Sequence, residues 1–275
     1  MELFIILFYL IFGILSLILF FKIWGMTNDV DKILSILQKE IRKKEETKTS
    51  EEQKTSEITE EGCLKITLKA EKLNEDLYDN YSTIKVSSAD GMNKLSQLGE
   101  TFAGKTIILE NDVVLDENYE PIHTFSGVFN GGGNSIKELK AASTNYNQFF
   151  RKGTALFYIV KGENAEIKNL TVKGTADGAG IAHTLTEKAK ISNCKSWVNI
   201  TTKGNGYPTP GGIVSNLNNG SIIENCENYG TIICNEKNTG GGIVGSMGLS
   251  DENNCREYPV IANCTNYGNV TINDV

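Results

Sequence analysis

The sequence predicts a mostly β protein: a right-handed parallel β-helix carried behind an N-terminal transmembrane helix. Three observations lead there. The chain repeats itself, with GGIVSNLNNGSIIENCENYGTI from Gly211 returning as GGIVGSMGLSDENNCREYPVIANCTNYGNVTI from Gly241. Self-similarity at a spacing of roughly 20–50 residues marks a stacked-repeat architecture. The apolar positions of this region come in short runs divided by Gly, Asn and Thr, without a sustained helical period. Finally, the run from Leu3 to Phe21 holds no charged residue, and at about 1.5 Å per helical residue it can cross a bilayer core of about 30 Å.

Residues 1–25 are expected to form a retained membrane anchor. Glu2 precedes the apolar run and no A-x-A-like site follows it, which is not the pattern of a cleaved signal. Trp24 is placed to sit at the interface. Lys22, Lys32, Lys39, Arg42, Lys43 and Lys44 follow the span while no Lys or Arg precedes it. The positive-inside rule therefore predicts a cytoplasmic C-terminal domain, with the cell surface as the alternative. Residues 26–44 read as an amphipathic helix with Asn28 as cap and Val30, Ile33, Leu34, Leu37 and Ile41 on one face. That stripe over 28–41 either continues the anchor or offers a short self-association surface. Residues 45–62 are polar, low in complexity and without aromatics, the composition of a disordered acidic linker.

Residues 63–104 are expected to start and cap the β-helix. CLKITLKAEKLNEDLYD suggests a strand and a loop. SSADGMNKLSQLGETFAG suggests a short helix capped by Ser88, with Met92, Leu95 and Leu98 on one face. Such a helix can cover strand edges at the open end of a stack.

From 105 to 275 the repeat supplies columns. Ile136, Ile167, Ile191, Ile223 and Ile261 align, as do Asn169, Asn193, Asn225 and Asn263. Leu139, Leu170, Cys194, Cys226 and Cys264 form a third column, and Trp197, Tyr229 and Tyr267 a fourth. In a parallel β-helix equivalent residues stack about 4.8 Å apart, so Ile and Cys fill the interior and Asn is expected to hydrogen-bond along a corner. The paired glycines Gly211-Gly212 and Gly241-Gly242 suit a bend where a Cβ would clash.

The six cysteines are Cys63, Cys194, Cys226, Cys234, Cys255 and Cys264. Stacked side chains pointing the same way are poorly placed for a disulfide, which needs Cβ atoms roughly 3.5–4.5 Å apart. One tetrahedral zinc ion cannot reach three thiolates spread over about 10 Å. The column therefore reads as buried thiols acting as small apolar fillers, and a pairing of Cys234 with Cys255 stays open. No cofactor or metal is expected, LSDENNC from Leu249 being only a loose calcium candidate.

The order GKTIILENDVVL, PIH, FSGVFNGGGNSIKEL, LFYIV, IKNL resembles the opening of GLUG-motif proteins, bacterial β-helix repeat proteins. The likeness covers about Lys105 to Val275 and is most specific from Phe125 to Leu139. His123 stands where the family's P-I-G glycine is usual, Asn130 replaces Asp, and Gly132-Gly133-Asn134 loosens the G-N-G-H element. ALFYIV lacks the glycines of G-L-F-G, whereas GGIVG from Gly241 keeps that form. The resemblance implies the fold and transfers no catalytic residue, since the motif is a structural repeat, often appended to adhesins and peptidases at the cell surface.

With a formal charge of -7 and no basic stripe, a nucleic-acid partner is excluded. An enzyme acting on polysaccharide would need two carboxylates facing each other across a groove. Glu110, Asp112, Asp116 and Glu117 cluster in sequence without suggesting that arrangement, and His123 and His183 lack a partner pattern. The sequence favours a non-catalytic, membrane-tethered binding or scaffold module for a protein or glycan partner, with a carbohydrate-active enzyme as the alternative. Trp197, Tyr229 and Tyr267 are its candidate binding strip, unless they stack on one another as a structural ladder. The final NVTINDV shows no capping segment, which makes the C-terminal end a second candidate for self-association.

Overall fold

The computed structural model describes residues 56–58, 64–141, 155–202, 209–235, 239–248 and 257–273. The expected anchor, the 26–44 helix, most of the 45–62 linker, Cys63 and Cys255 lie outside these residues. Within the compact unit Glu57–Val275 the described residues are mostly β, arranged in three sheets whose strands pair in parallel. The path is β-helix-like because the chain visits the sheets in rotation.

One circuit shows the pattern. Phe157–Lys161 lies in the third sheet, Glu166–Lys168 in the first and Thr171–Ala176 in the second. Ala182–Thr186, Lys190–Ser192 and Lys195–Thr201 repeat the order. Val214–Asn218, Ile222–Glu224, and Glu227–Asn228 with Ile232–Asn235 do so again. The last rung is Val244–Gly248, Val260–Ala262, and Thr265–Asn266 with Val270–Asn273.

Local sequence explains why each strand sits as it does. Lys195–Thr201 alternates exposed Lys195, Trp197, Asn199 and Thr201 with buried Ser196, Val198 and Ile200, the period-2 pattern of a sheet with one wet face. In the first sheet Ile167, Ile191 and Ile223 are level with one another and fully buried, each stabilising the stack by about 1.5–3 kcal/mol.

The alignment of columns needs one correction. The residue level with Ile167 on the preceding rung is Phe129, and above that Ile107. Ile136 is level with Val172, and Leu139 with Gly174, in the second sheet. IKEL and IKNL share a pattern but occupy different faces, because both faces ask for the same buried–exposed alternation.

At the N-terminal end the helix spans Ala89–Gln97, and the Ser88 side chain accepts the Gly91 N–H at 3.2 Å. Met92 and Leu95 are buried in the core, and the helix packs against the Ile122–Phe125 strand of the third sheet. On another side of the helix Gly91 allows a close approach to the Ala70–Lys72 turn, since a Cβ there would lie 3.1 Å from the Ala70 Cβ. Leu64–Lys69 and Thr83–Val86 carry the first sheet past the helix. Ser56–Ile58, inside the stretch expected to be linker, is a strand at that sheet's edge.

Candidate functional site

The second sheet carries the candidate strip on its outer face. Its register sets Lys195 level with Glu227 and Thr265, and Ser196 level with Asn228 and Asn266. The next position on each rung is therefore Trp197, Tyr229 and Tyr267. Their rings stack face to face: 4.2 Å between centroids and 4° between planes for Trp197–Tyr229, 4.8 Å and 16° for Tyr229–Tyr267. Lys173, level with Trp197, holds its ammonium 6.0 Å from the indole centroid, within the range of a cation–π contact.

This stacking decides what the strip can offer. Ring faces point along the stack and are occupied by neighbouring rings, so a sugar cannot lie flat across all three. Outward, the column presents ring edges. Trp197 is 48% and Tyr267 60% exposed, and the outward face of Tyr267 has no ring beyond it among the described residues. Beside the rings, Lys195 pairs with Glu227 at 2.8 Å and the Tyr229 hydroxyl donates to the same carboxylate at 2.8 Å. The Lys195 ammonium, then Tyr229, hold Glu227 below the usual carboxylate range. Hydrogen bonding to Glu227 raises the Tyr229 phenol. Exposed Asn199, Thr265, Asn269 and Thr271 complete the face.

Behind the strip lies a feature the sequence reading missed. The asparagine of each N-Y-G word points inward. Asn228 Nδ2 donates to Gly230 O at 3.0 Å and to Asn266 Oδ1 at 2.8 Å, and Asn266 Nδ2 donates to Gly268 O at 2.7 Å. The column expected to form such a chain does something else. Asn169, Asn193, Asn225 and Asn263 all have φ of 52–53°, the left-handed corner conformation that Asn tolerates better than most residues. Asn193, Asn225 and Asn263 are exposed, and Asn169 Nδ2 reaches Asn130 Oδ1 at 3.2 Å. What these four share is backbone shape. The signal for the inner ladder was present in the N-Y-G repeat, where Asn and Tyr must face opposite ways on a strand.

Cys194 and Cys226 are fully buried and Cys264 half-buried, all with free thiols. Each Sγ lies 3.1–3.2 Å from the carbonyl two residues earlier: Ser192, Glu224 and Ala262. The neighbouring Cys194 sulfur, with burial, pushes the Cys226 thiol up to about 12. Cys226 and burial likewise raise Cys264. Cys234 is also buried and free.

The acids weighed for catalysis are engaged singly. Glu110 pairs with Lys85 at 3.2 Å, Asp112 with Lys137 at 2.8 Å and Glu117 with Lys140 at 3.3 Å. Asp116 accepts from Asn93 Nδ2 at 2.7 Å. Hydrogen bonds from Lys137 and the Ser135 N–H hold Asp112 below its ordinary range, the reverse of what a general acid needs. The two histidines meet on the third sheet, where His123 and His183 flank Tyr158 with centroids 5.2 and 5.1 Å apart. Tyr158 has no repeated spacing to reveal it. Among the described residues no group of three His, Cys, Asp or Glu side chains could hold a metal ion, and the LSDENNC loop lies outside them.

No protein-family model and no curated protein matches the chain. Among solved structures it is similar to a Bacteroides ovatus protein provisionally named an immunoglobulin A1 protease. The identity is 17% over 68% of this chain and 67% of that one, with a TM-score of 0.49.

Proposed function

We propose that this chain is a non-catalytic binding module: a right-handed parallel β-helix of GLUG type, tethered to a membrane through residues 3–21, that presents the outer face of its second sheet to a partner protein. The observation that carries the reading is the column Trp197–Tyr229–Tyr267, large rings held out from the sheet and fixed by stacking. Aromatic side chains already immobilised bind at low entropic cost. Ring edges bordered by Thr and Asn suit a protein surface, whereas a glycan would need ring faces that the stack occupies. The singly ion-paired acids give no support to the carbohydrate-active alternative. The charge asymmetry after Phe21 favours the cytoplasmic side.

The test is photo-crosslinking in intact membranes from position 199, which is exposed two residues from Trp197. A crosslinked protein that disappears in a Trp197→Ser, Tyr229→Ser variant that is still fully folded by circular dichroism at the assay temperature supports the proposal. A crosslink indifferent to the rings, or depolymerisation of polysaccharide by the purified chain, overturns it.

A further inference from the structure

We propose that Trp197 and Tyr229 form a redox pair: an electron hole placed on the indole passes to the phenol, whose proton goes in the same step to the Glu227 carboxylate. This is an activity of the ring column itself and does not depend on the docking of a partner.

The two rings are placed for electron exchange. Their centroids lie 4.2 Å apart with planes 4° from parallel, so their π-systems overlap face to face. Free rings prefer offset or edge-on pairs; here the spacing of the rungs imposes the parallel one. Trp197 is 48% exposed, whereas Tyr229 is covered on both faces by its neighbours. A dissolved one-electron oxidant, such as an oxygen-centred radical, therefore meets the indole first.

Charges beside the rings set the direction of transfer. The Lys173 ammonium stands 6.0 Å from the indole centroid, and a cation there disfavours a positive hole on Trp197. At Tyr229 the neighbour is a carboxylate: the phenol donates to Glu227 Oε2 at 2.8 Å. Lys195 holds the same oxygen at 2.8 Å, which fixes the acceptor beside the hydroxyl.

A phenol gives up an electron readily only when its proton can leave as well, and 2.8 Å is within reach of direct proton transfer. The step balances within these three groups. The oxidant takes one electron from Trp197, leaving an indole radical cation. That cation regains an electron from Tyr229, the phenolic O–H bond breaks, and a new O–H bond forms on Glu227. The products are a neutral indole, a neutral phenoxyl radical and a carboxylic acid.

The hole stops at Tyr229, and the repeat itself shows why. Tyr267 stacks beyond it at 4.8 Å and 16°, but the residue level with Glu227 on that rung is Thr265. Among the described residues no carboxylate accepts a hydrogen bond from the Tyr267 hydroxyl, so its proton has only water to go to. Two rungs that repeat the same N-Y-G word thus differ in the one group that the coupled step requires.

Flash photolysis of the full chain in detergent tests this, in a Trp24→Phe background that leaves Trp197 as the one indole. A photogenerated ruthenium(III) polypyridyl complex serves as the one-electron oxidant. The expected result is an indole radical cation that decays as a tyrosyl radical rises. Glu227→Gln keeps a hydrogen-bond acceptor but loses the base, and should lengthen the life of the indole radical about a hundredfold. Tyr229→Phe keeps the stacked ring without its hydroxyl and should lengthen it at least as much. An indole radical that persists in the otherwise unaltered chain overturns the proposal. So does a lifetime unchanged in Tyr229→Phe, because the hole would then leave by another route, or unchanged in Glu227→Gln, because the proton would then go elsewhere.

Discussion

Asn228 occupies the space that a side chain on Gly212 would need: a Cβ built on Gly212 falls 2.4 Å from the Asn228 Cγ and 2.6 Å from its Nδ2. Gly242 stands in the same relation to Asn266, at 2.4 Å. The two words repeated in the sequence, GGIV and NYG, are thus the two halves of one contact across the interior. An inward amide satisfies backbone groups of its own turn and the amide of the next rung, and the facing strand gives way by having no side chain. The glycine of N-Y-G completes the arrangement, because a Cβ on Gly230 would lie 1.9 Å from Val198 O.

Gly212→Ala is accordingly expected to cost about 2–3 kcal/mol by overpacking. Its Cβ also meets the backbone oxygen of Gly242 at 2.1 Å, whereas the three atoms nearest the Cβ of Gly242→Ala all belong to the Asn266 side chain. Gly242→Ala should cost less, and chemical denaturation of the two variants side by side measures the difference. Equal, negligible losses would mean that the rungs are not held in this register.

Asn225 tests what the corner column is for. If its left-handed φ of 53° is the requirement, Asn225→Gly should stay within about 0.5 kcal/mol of wild type. Asn225→Ala should lose about 1 kcal/mol, the cost of a Cβ in that conformation. A side-chain hydrogen-bond ladder would instead make both substitutions similarly harmful.

Cys226 gives a pH dependence with a definite direction. Its thiol is pushed up to about 12 in the folded chain, while in the unfolded chain it ionises near about 8.5. Stability from this group is complete below about pH 8.5 and is lost as the pH rises toward 12. Denaturation midpoints followed from pH 8 to 10.5 should therefore fall less steeply in Cys226→Ala than in wild type. Parallel curves would contradict the buried, neutral thiol.

Tyr229 is the middle of the ring column. Tyr229→Ala removes two stacked contacts and is expected to destabilise the chain by about 1–2 kcal/mol beyond the loss of buried area. It should also remove the near-ultraviolet dichroism that arises where the Trp197 and Tyr229 rings lie 4.2 Å apart. An unchanged spectrum would show that the rings do not stack in solution.

Much of this was legible in the chain before its structure. The recurring Ile, Cys and aromatic spacings locate three rungs, because inserts at the corners change the distance between Ile167, Ile191, Ile223 and Ile261 without disturbing the short strands. The earlier rungs were harder, since Phe129 takes the place of isoleucine in the same column while Ile136 imitates it from another sheet. Facing direction was the other gap. Spacing brings Trp197, Tyr229 and Tyr267 together, but whether their faces look outward or at one another depends on side-chain torsions that a repeat does not encode. Asn228 was hidden in a similar way. An inward asparagine reads like a loop residue until the glycines facing it are known.

The measurement that bears most directly on the binding role is the affinity of the crosslinked partner protein for the full chain and for its Trp197→Ser, Tyr229→Ser variant, at a temperature where both are fully folded. A ring column that forms the contact predicts at least a tenfold loss, about 1.4 kcal/mol. An affinity unchanged by removing both rings would contradict it and move the binding face elsewhere on the molecule.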